Sequence, residues 1–449
     1  MGTRLLELFK SAAKPLPGLS DESFGSCFDH LGQYKVVLIG DGTHGTSEFY
    51  QARAAITKHL IQNHGFDAVA VEADWPDAEA VDRYVRQRPG VKAHVGSHKE
   101  PSFQRFPTWM WRNKEVQDFV HWMRDHNGTL PASKRAGFYG LDLYSMGGSI
   151  DAVIKYLDRV DPAMAKTARA RYGCLQPWVE DPRAYGLAAY SKSGLETCEK
   201  RVVQMLTELL QKRLEYSEHH HNGDEFHSAE QNAHLVADAE AYYRAMYSRE
   251  VDSWSLRDSH MFETLRRLLR VKGPSSKAVV WAHNSHIGDA RFTSMGKQRG
   301  ELNLGQLCRQ LIGRENVALI GCGMHSGTVA AAHEWDEDVE IMNVVPSRPD
   351  SWEHVAHQTG IDRFYLELRR ELSHPDLVYE IAKESPKLER FIGVIYRPGT
   401  ERISHYSQAN LGEQFDGYLW FNQSHGVHPL EMAQPHTPLG VDETYPFGL

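Results

Sequence analysis

An apolar run that ends in glycines, one acid and one histidine constrains this chain most: Val36-Val-Leu-Ile-Gly-Asp-Gly-Thr-His-Gly-Thr46. Helical character begins at once in Ser47-Glu-Phe-Tyr-Gln-Ala-Arg-Ala54. Such a switch from a short β-branched run to a helical period predicts a strand, a tight crossing and a helix. Gly40, Gly42 and Gly45 permit the crossing. Asp41 and His44 then stand at the carboxyl end of a central strand, where open α/β sheets bind their ligands. His44 also approaches a helix N-terminus, whose positive end favours developing negative charge. A histidine so placed, with an acid nearby, is equipped to act as a general base.

The alternation continues through the first third of the chain. Lys35–Ile39, Ala68–Val71 and Ala136–Leu141 read as strands, and Thr46–Asn63, Asp77–Arg86, Trp109–His126 and Gly148–Val160 as helices. Strands alternating with helices imply a parallel sheet with right-handed crossovers. From about Asp161 to Lys272 the period is helical almost throughout. Val202, Met205, Leu206, Leu209 and Leu210 form one apolar stripe, and Trp254, Met261, Leu265, Leu268 and Leu269 another. Strand character returns at Lys277–Trp281, Val317–Ile320, Phe364–Leu366 and Phe391–Ile395. The expected architecture is α/β, a mostly parallel sheet core flanked by helices with an inserted all-helical lobe. Residues 1–160 are its first part, 161–272 the lobe, and 273–449 the second part with a C-terminal wrap.

Length and composition are those of an ordinary soluble globular protein. The chain has 449 residues, with 41% hydrophobic and 24% charged, enough for a large core. A net charge of -9 argues against a primary nucleic-acid binder, which needs a basic surface. Apolar runs fall well short of the 18 residues of a membrane span. The start, Met1-Gly-Thr-Arg-Leu-Leu-Glu-Leu-Phe-Lys10, is too short and charged for a signal peptide, and Leu6 stands where a myristoylation signal needs Ser or Thr. Five scattered cysteines without a CxxC predict neither a disulfide framework nor a zinc ribbon, and point to a reducing, cytoplasmic setting. Oligomeric state is not written in the sequence.

Four strand ends carry side chains of catalytic type. They supply Asp41 and His44, then Glu72, Asp74 and Trp75, then Asp142 and Tyr144, then His283, Asn284 and His286. In a parallel sheet these ends share one edge, so the groups converge. Taken singly, a strand-end histidine is as often a hydrogen-bonded core residue, and most of the ten Trp belong to the core. A divalent metal at His44, His283 and His286 is a minority reading, since no HExxH is present and a loop leaves the ligand geometry open. His94, His98 and His219–His221 read as solvated loop residues. With no G-x-S-x-G and no activated cysteine, the nucleophile is water. A rival reading takes Gly40-Asp-Gly-Thr-His-Gly45 as the dinucleotide fingerprint G-x-G-x-x-G, with Glu72 for the ribose. Against it, Asp41 sets a negative charge beside a pyrophosphate.

At these residues the chain resembles the erythromycin esterase family. That family carries Gly-Glu-x-(Thr/Ser)-His-Gly after a strand, matched here by Gly40–Gly45. The likeness continues in Glu48-Phe49-Tyr50 and Arg53, in Gly65–Pro76, in Trp109–Asn113, and in Phe138–Tyr144. It extends through Glu230–Ala233, Trp254–Asp258, Trp281–His286, Gly393–Arg397 and His405-Tyr406. The resemblance implies hydrolysis of a macrolactone or carboxylic ester by water with no metal, and His44 as base. Asp41, Glu72, Arg53, His283 and His286 fall on its polar site positions. Arg53 and a protonated His286 are the expected oxyanion donors. Trp75, Trp109, Trp111, Tyr144, Trp254, Arg257 and Asp142 are the expected substrate-binding residues. Under this likeness the dinucleotide fingerprint is a coincidence. One departure stands out: Asp41 replaces the family's usual Glu, one methylene shorter. The same His and carboxylates also suit a lyase, isomerase or cyclase step on a natural product.

Overall fold

The computed structural model describes residues 3–88, 102–191, 196–213, 215–216, 223–247 and 252–430. His94, His98, His219–His221 and the last nineteen residues of the wrap lie outside these. The strands are β1 (Lys14–Pro15), β2 (Val36–Ile39), β3 (Ala68–Asp74), β4 (Gly137–Asp142), β5 (Ala278–Trp281), β6 (Val317–Ala331), β7 (Glu340–Val344), β8 (Arg363–Glu367), β9 (Lys387–Arg390), β10 (Tyr406–Ala409) and β11 (Gly417–Ser424). Nine of them form one sheet, ordered β1-β8-β11-β6-β2-β5-β3-β4 with β7 on β6. The stretch from β11 to β4 is parallel, and β1, β7 and β8 add antiparallel edges.

A sheet covered on both faces needs strands that are apolar at every position, and β2, β3, β4 and β5 are buried throughout. The strand period of two then divides the core in half. Val36, Leu38, Ala68, Ala70, Ala278 and Val280 face one cluster. Val37, Ile39, Val69, Val71, Val279 and Trp281 face the other. Helices Ser47–His64 and Lys114–Gly128 cover the second face with Ile56, Leu60, Phe119 and Met123. The first face is covered by the elements between β4 and β5, which are all helical among the described residues. They include Met146–Val160, Gly223–Ala245 and Ser253–Lys272. None of the described helices is long and apolar enough to cross a membrane.

Strand order places the chemistry. The chain passes from β2 to β3 to β4, makes its helical excursion, and returns to lay β5 between β2 and β3. The carboxyl ends of β2, β5, β3 and β4 thus lie side by side.

Two expectations are corrected and one strand is added. Phe391–Ile395 is apolar but is no strand. It crosses the mouth of β2, where Ile392 N–H donates to the Gly42 carbonyl at 3.0 Å and its own carbonyl accepts from His44 N–H at 3.2 Å. The strand before it, β9, pairs with β10 in a separate two-stranded sheet. Gly417–Ser424 carries no clean alternation and went unread, yet it is β11, filling the slot between β6 and β8. Cys174 and Cys198 form a disulfide, their Cα atoms 6.0 Å apart, because helices Pro162–Tyr172 and Glu199–Gln211 bring distant segments together.

Candidate active site

The loop after β2 is held by backbone contact rather than by open space. A Cβ on Gly45 would lie 1.8 Å from the Ala330 carbonyl oxygen, and one on Gly40 would lie 2.1 Å from Asn284 Oδ1. Both glycines are needed for close packing of β2 against β6 and against the His283–His286 turn. The room that a pyrophosphate needs is filled by protein, so the literal G-x-G-x-x-G does not make a dinucleotide cradle. His425 also covers the start of the following helix, its carbonyl accepting from Ser47 N–H at 2.8 Å.

His44 is buried, and its ring lies between two carboxylates. Nδ1 is 3.4 Å from Asp41 Oδ1 and Nε2 is 3.9 Å from Glu72 Oε1. Asp41 is fixed from the other side by Arg53, which reaches back from helix Ser47–His64 to donate at 2.6 Å. Burial pushes the Asp41 carboxyl up, but Arg53 and His44 beside it prevail and hold it below the usual carboxylate range. Arg53 is packed against the rings of Tyr50 and Trp281. Asp41 Oδ1 and His44 Nδ1 have no hydrogen-bond partner among the described residues. They stand 3.4 Å apart.

Glu72 is the hub. Its Oε1 accepts from Arg257 Nη2 at 2.8 Å and its Oε2 from the His283 backbone N–H at 2.8 Å. His286 Nε2 lies 3.3 Å from the same Oε1. Burial works against the charge on Glu72, but His286, His44 and Arg257 keep the carboxyl well below its ordinary value. Arg257 comes from the helical excursion, on Ser253–Lys272, and grips Asp142 by a fork: Nε to Oδ1 at 3.0 Å and Nη2 to Oδ2 at 2.7 Å. A guanidinium bound to two carboxylates in this way is positioned as well as charged.

His286 is read differently once its second neighbour is seen. Asp258, adjacent to Arg257, places both oxygens on His286 Nδ1 at 3.0 and 2.8 Å. The ring stacks on Trp254 at 4.5 Å between centroids. Burial lowers its basicity, but Asp258 and Glu72 outweigh this and raise it to about 9, so His286 is an imidazolium at neutral pH. Arg257 Nη1, 3.1 Å from Nε2, is itself a donor and contributes repulsion to the charged ring. His283 is the opposite case. Burial and the nearby His44 push it down to about 3, leaving it neutral. Its Nδ1 accepts from Ser285 N–H at 3.2 Å, and its ring packs 4.9 Å from that of His44.

A cavity of about 80 Å³ opens on this cluster. His44, Glu72, Asp142 and Tyr144 line it from the strand ends, and Arg257 and Trp111, named through the family resemblance, line it from helices. Arg53 and His286 do not, because salt-bridged carboxylates draw both side chains behind the wall; neither stands where an oxyanion donor must. Trp75, Trp109 and Trp254 do not line it either. Trp75 and Trp109 pack in the two cores, and Trp254 backs His286. The rest of the wall includes Asp74, already singled out at the end of β3, and Asp77, Phe103, Arg105, Phe106 and Trp335, which the sequence did not mark. Asp74 ends β3 and was seen as such, but its role depends on burial, which pushes it up to about 7 with Asp142 adding to the effect and Arg105 offsetting it.

His44, His283 and His286 do not make a metal ligand set. The described residues bring His, Cys, Asp or Glu ligand atoms within mutual reach as a triad only at Asp29, His59 and His64. Both ring nitrogens of His286 already face carboxylates, Nδ1 at 2.8 Å from Asp258 and Nε2 at 3.3 Å from Glu72.

The sequence model of the erythromycin esterase family matches residues 61–424. The chain belongs to that family. A curated relative, "Putative hydrolase YbfO" of Bacillus subtilis (strain 168), is 21% identical over 86% of this chain and 83% of its own length. Erythromycin esterase type I of Escherichia coli is 21% identical over 56% of this chain and 62% of its own. Among solved structures, a succinoglycan biosynthesis protein superposes with a TM-score of 0.73 at 19% identity, covering 95% of this chain and 98% of the other. A mutant of the erythromycin esterase EreC, in its open conformation, gives 0.67 at 15% identity over 93% and 99%. These likenesses show the fold, and the family match supports a hydrolase.

The Asp258–His286 pair makes a prediction of its own. A histidine whose folded value exceeds its unfolded one of about 6.5 stabilises fully below that pH and loses the contribution as pH rises through the folded value. With His286 at about 9, Asp258→Asn destabilises most near pH 6, and the difference from wild type narrows above pH 9. Urea unfolding of both proteins at three pH values measures it.

Proposed function

We propose that the protein hydrolyses a carboxylic ester or lactone with a water molecule that His44 activates. The observation that carries this reading is the position of His44: on the cavity wall, with Nδ1 toward Asp41 and Nε2 toward Glu72. A proton on Nδ1 directs the ring at Asp41 and leaves the Nε2 lone pair as base. A water placed between Nε2 and Glu72 Oε1, which are 3.9 Å apart, gives one proton to His44 and hydrogen-bonds Glu72 with the other. Its oxygen attacks the ester carbonyl carbon. Arg257, already fixed by Asp142 and Glu72, faces the developing oxyanion. As the tetrahedral intermediate collapses, the C–O bond to the leaving alcohol breaks and Asp74 supplies its proton. The proton on His44 returns through solvent to Asp74. The products are an alcohol and a carboxylic acid, which releases its proton to solvent as the carboxylate.

A cavity of about 80 Å³ encloses the reacting ester rather than a whole macrocycle, leaving the rest of a small-molecule substrate at the mouth. No step requires a metal. The test is a mass-spectrometric screen of macrolactones and simple acyl esters, with and without chelator. Turnover of at least one class, unaffected by chelator, is expected; no hydrolysis anywhere on the panel counts against the reading. Asp74→Asn is expected to slow esters of poor leaving alcohols far more than activated aryl esters, and to remove the fall in kcat/KM that wild type shows as pH rises through about 7. An equal loss on both ester types contradicts the role given to Asp74.

A further inference from the structure

We propose that Asp29, His59 and His64 form a site for a divalent transition-metal ion of the zinc class, remote from the cavity and independent of the reading given to it. Asp29 belongs to the short helical segment Gly25–Gln33, and the two histidines to the last turns of Ser47–His64. His59 Nε2 and His64 Nε2 lie 3.0 and 2.7 Å from the same oxygen, Asp29 Oδ1. All three ligand atoms fall within 4.8 Å of one another. Ligands around a tetrahedral zinc, each at about 2.0–2.2 Å from it, are spaced about 3.3 Å apart, so small side-chain rotations admit the ion.

The surroundings are shaped for the two rings. A Cβ on Gly32 would lie 2.1 Å from His64 Nδ1, and one on Gly25 would lie 2.8 Å from His59 Cβ. Both glycines therefore let the helix and its histidines approach this segment. Without metal, the Asn63 Nδ2 amide donates to His59 Nδ1 at 3.1 Å; a flip of that amide turns its oxygen to this nitrogen, the acceptor that an outer partner offers a ligating imidazole. The His59 and His64 side chains are 16% and 22% exposed, which leaves an approach for the ion and room for water to complete its shell. Without metal, Asp29 is shared by both rings. With metal, each neutral ring carries its proton on Nδ1 and donates its Nε2 lone pair, and the carboxylate supplies the charge. Two imidazoles and one carboxylate suit zinc and its neighbours; the all-oxygen preference of magnesium and calcium excludes them. Bound there, the ion staples the segment 25–33 to the helix that carries Arg53.

The experiment is zinc titration of the full-length, untagged, chelator-stripped protein by calorimetry, with thermal unfolding alongside. Wild type is expected to bind one zinc ion at this site and to melt at a higher temperature with zinc, and to respond to neither magnesium nor calcium. His59→Gln/His64→Gln, which touches no residue of the cavity, is expected to keep the wild-type circular dichroism and metal-free melting temperature. It loses the zinc-induced shift and at least about a hundredfold in affinity, since loss of an outer partner alone costs about 10–100-fold. Cobalt substitution gives a second readout: a visible ligand-field band in wild type that the variant lacks. Equal zinc affinity and equal shift in wild type and variant, or no zinc binding by wild type, overturns the proposal.

Discussion

Replacing His44 with alanine is expected to abolish the proposed ester hydrolysis and to leave the protein folded. Two features separate the catalytic loss from a structural one. The bonds that hold the loop, from the His44 N–H to the Ile392 carbonyl and from the Tyr50 hydroxyl to the His44 carbonyl, do not involve the imidazole. The ring itself has no hydrogen-bond partner at Nδ1 among the described residues, so its removal orphans no buried donor. General-base catalysis contributes typically about 10²–10⁴-fold, and a loss of that size in kcat with unchanged circular dichroism is the expected result. Asp41→Asn tests the next link. Arg53 would lose its anionic partner and the developing imidazolium its stabilising charge, so kcat falls and stability falls with it. Activity of His44→Ala within tenfold of wild type removes the base from the account.

Arg257→Leu is expected to give the largest loss of stability. The guanidinium is buried between Glu72 and Asp142, and its own proton is held far above the ordinary range by Asp142 and Glu72 in spite of burial. Its removal leaves Asp142 in a low dielectric without this counter-ion, and Glu72 with His286 and the His283 N–H close by. Breaking a buried pair in this way costs about 3–5 kcal/mol. Urea unfolding measures the effect directly. Arg257→Lys restores only part of it, because an ammonium cannot reproduce the two-pronged grip on Asp142. Adding Asp142→Asn to Arg257→Leu recovers some stability, since one orphaned carboxylate is neutralised. A wild-type unfolding midpoint for Arg257→Leu contradicts the network as described.

Much of this site was legible because a parallel sheet converts sequence into place. Once β2, β3, β4 and β5 were read as strands, the residues just beyond them had to share an edge. Asp41, His44, Glu72, Asp142 and His283 followed without knowledge of strand order. What followed from tertiary pairing could not be read. Asp258 lies one residue from Arg257 on a helix, about 100° around its axis. One faces the cavity and the other the back of His286, and nothing local to the sequence distinguishes them. Arg53 and His286 were expected at an oxyanion because cations near a base suggest that role. Each is instead drawn off by a carboxylate, and Arg257, expected only to bind substrate, occupies the wall. The tryptophans misled for a simpler reason. Large aromatics at strand ends and on amphipathic helices fill core as readily as pockets, and only Trp111 of the group reaches the cavity. Gly417–Ser424 was missed as a strand because Gly, Asn, Gln and Ser interrupt its apolar positions, while Phe391–Ile395 was taken for one because burial over the mouth of β2 makes a connecting segment equally apolar.

In the proposed hydrolysis a deprotonated water forms the new bond. This is tested by running the reaction with an ester substrate in ¹⁸O-labelled water and weighing the products. One ¹⁸O in the carboxylate and none in the alcohol is the result expected of attack at the acyl carbon. Product formed without label, or label in the alcohol, contradicts a His44-activated water at the carbonyl.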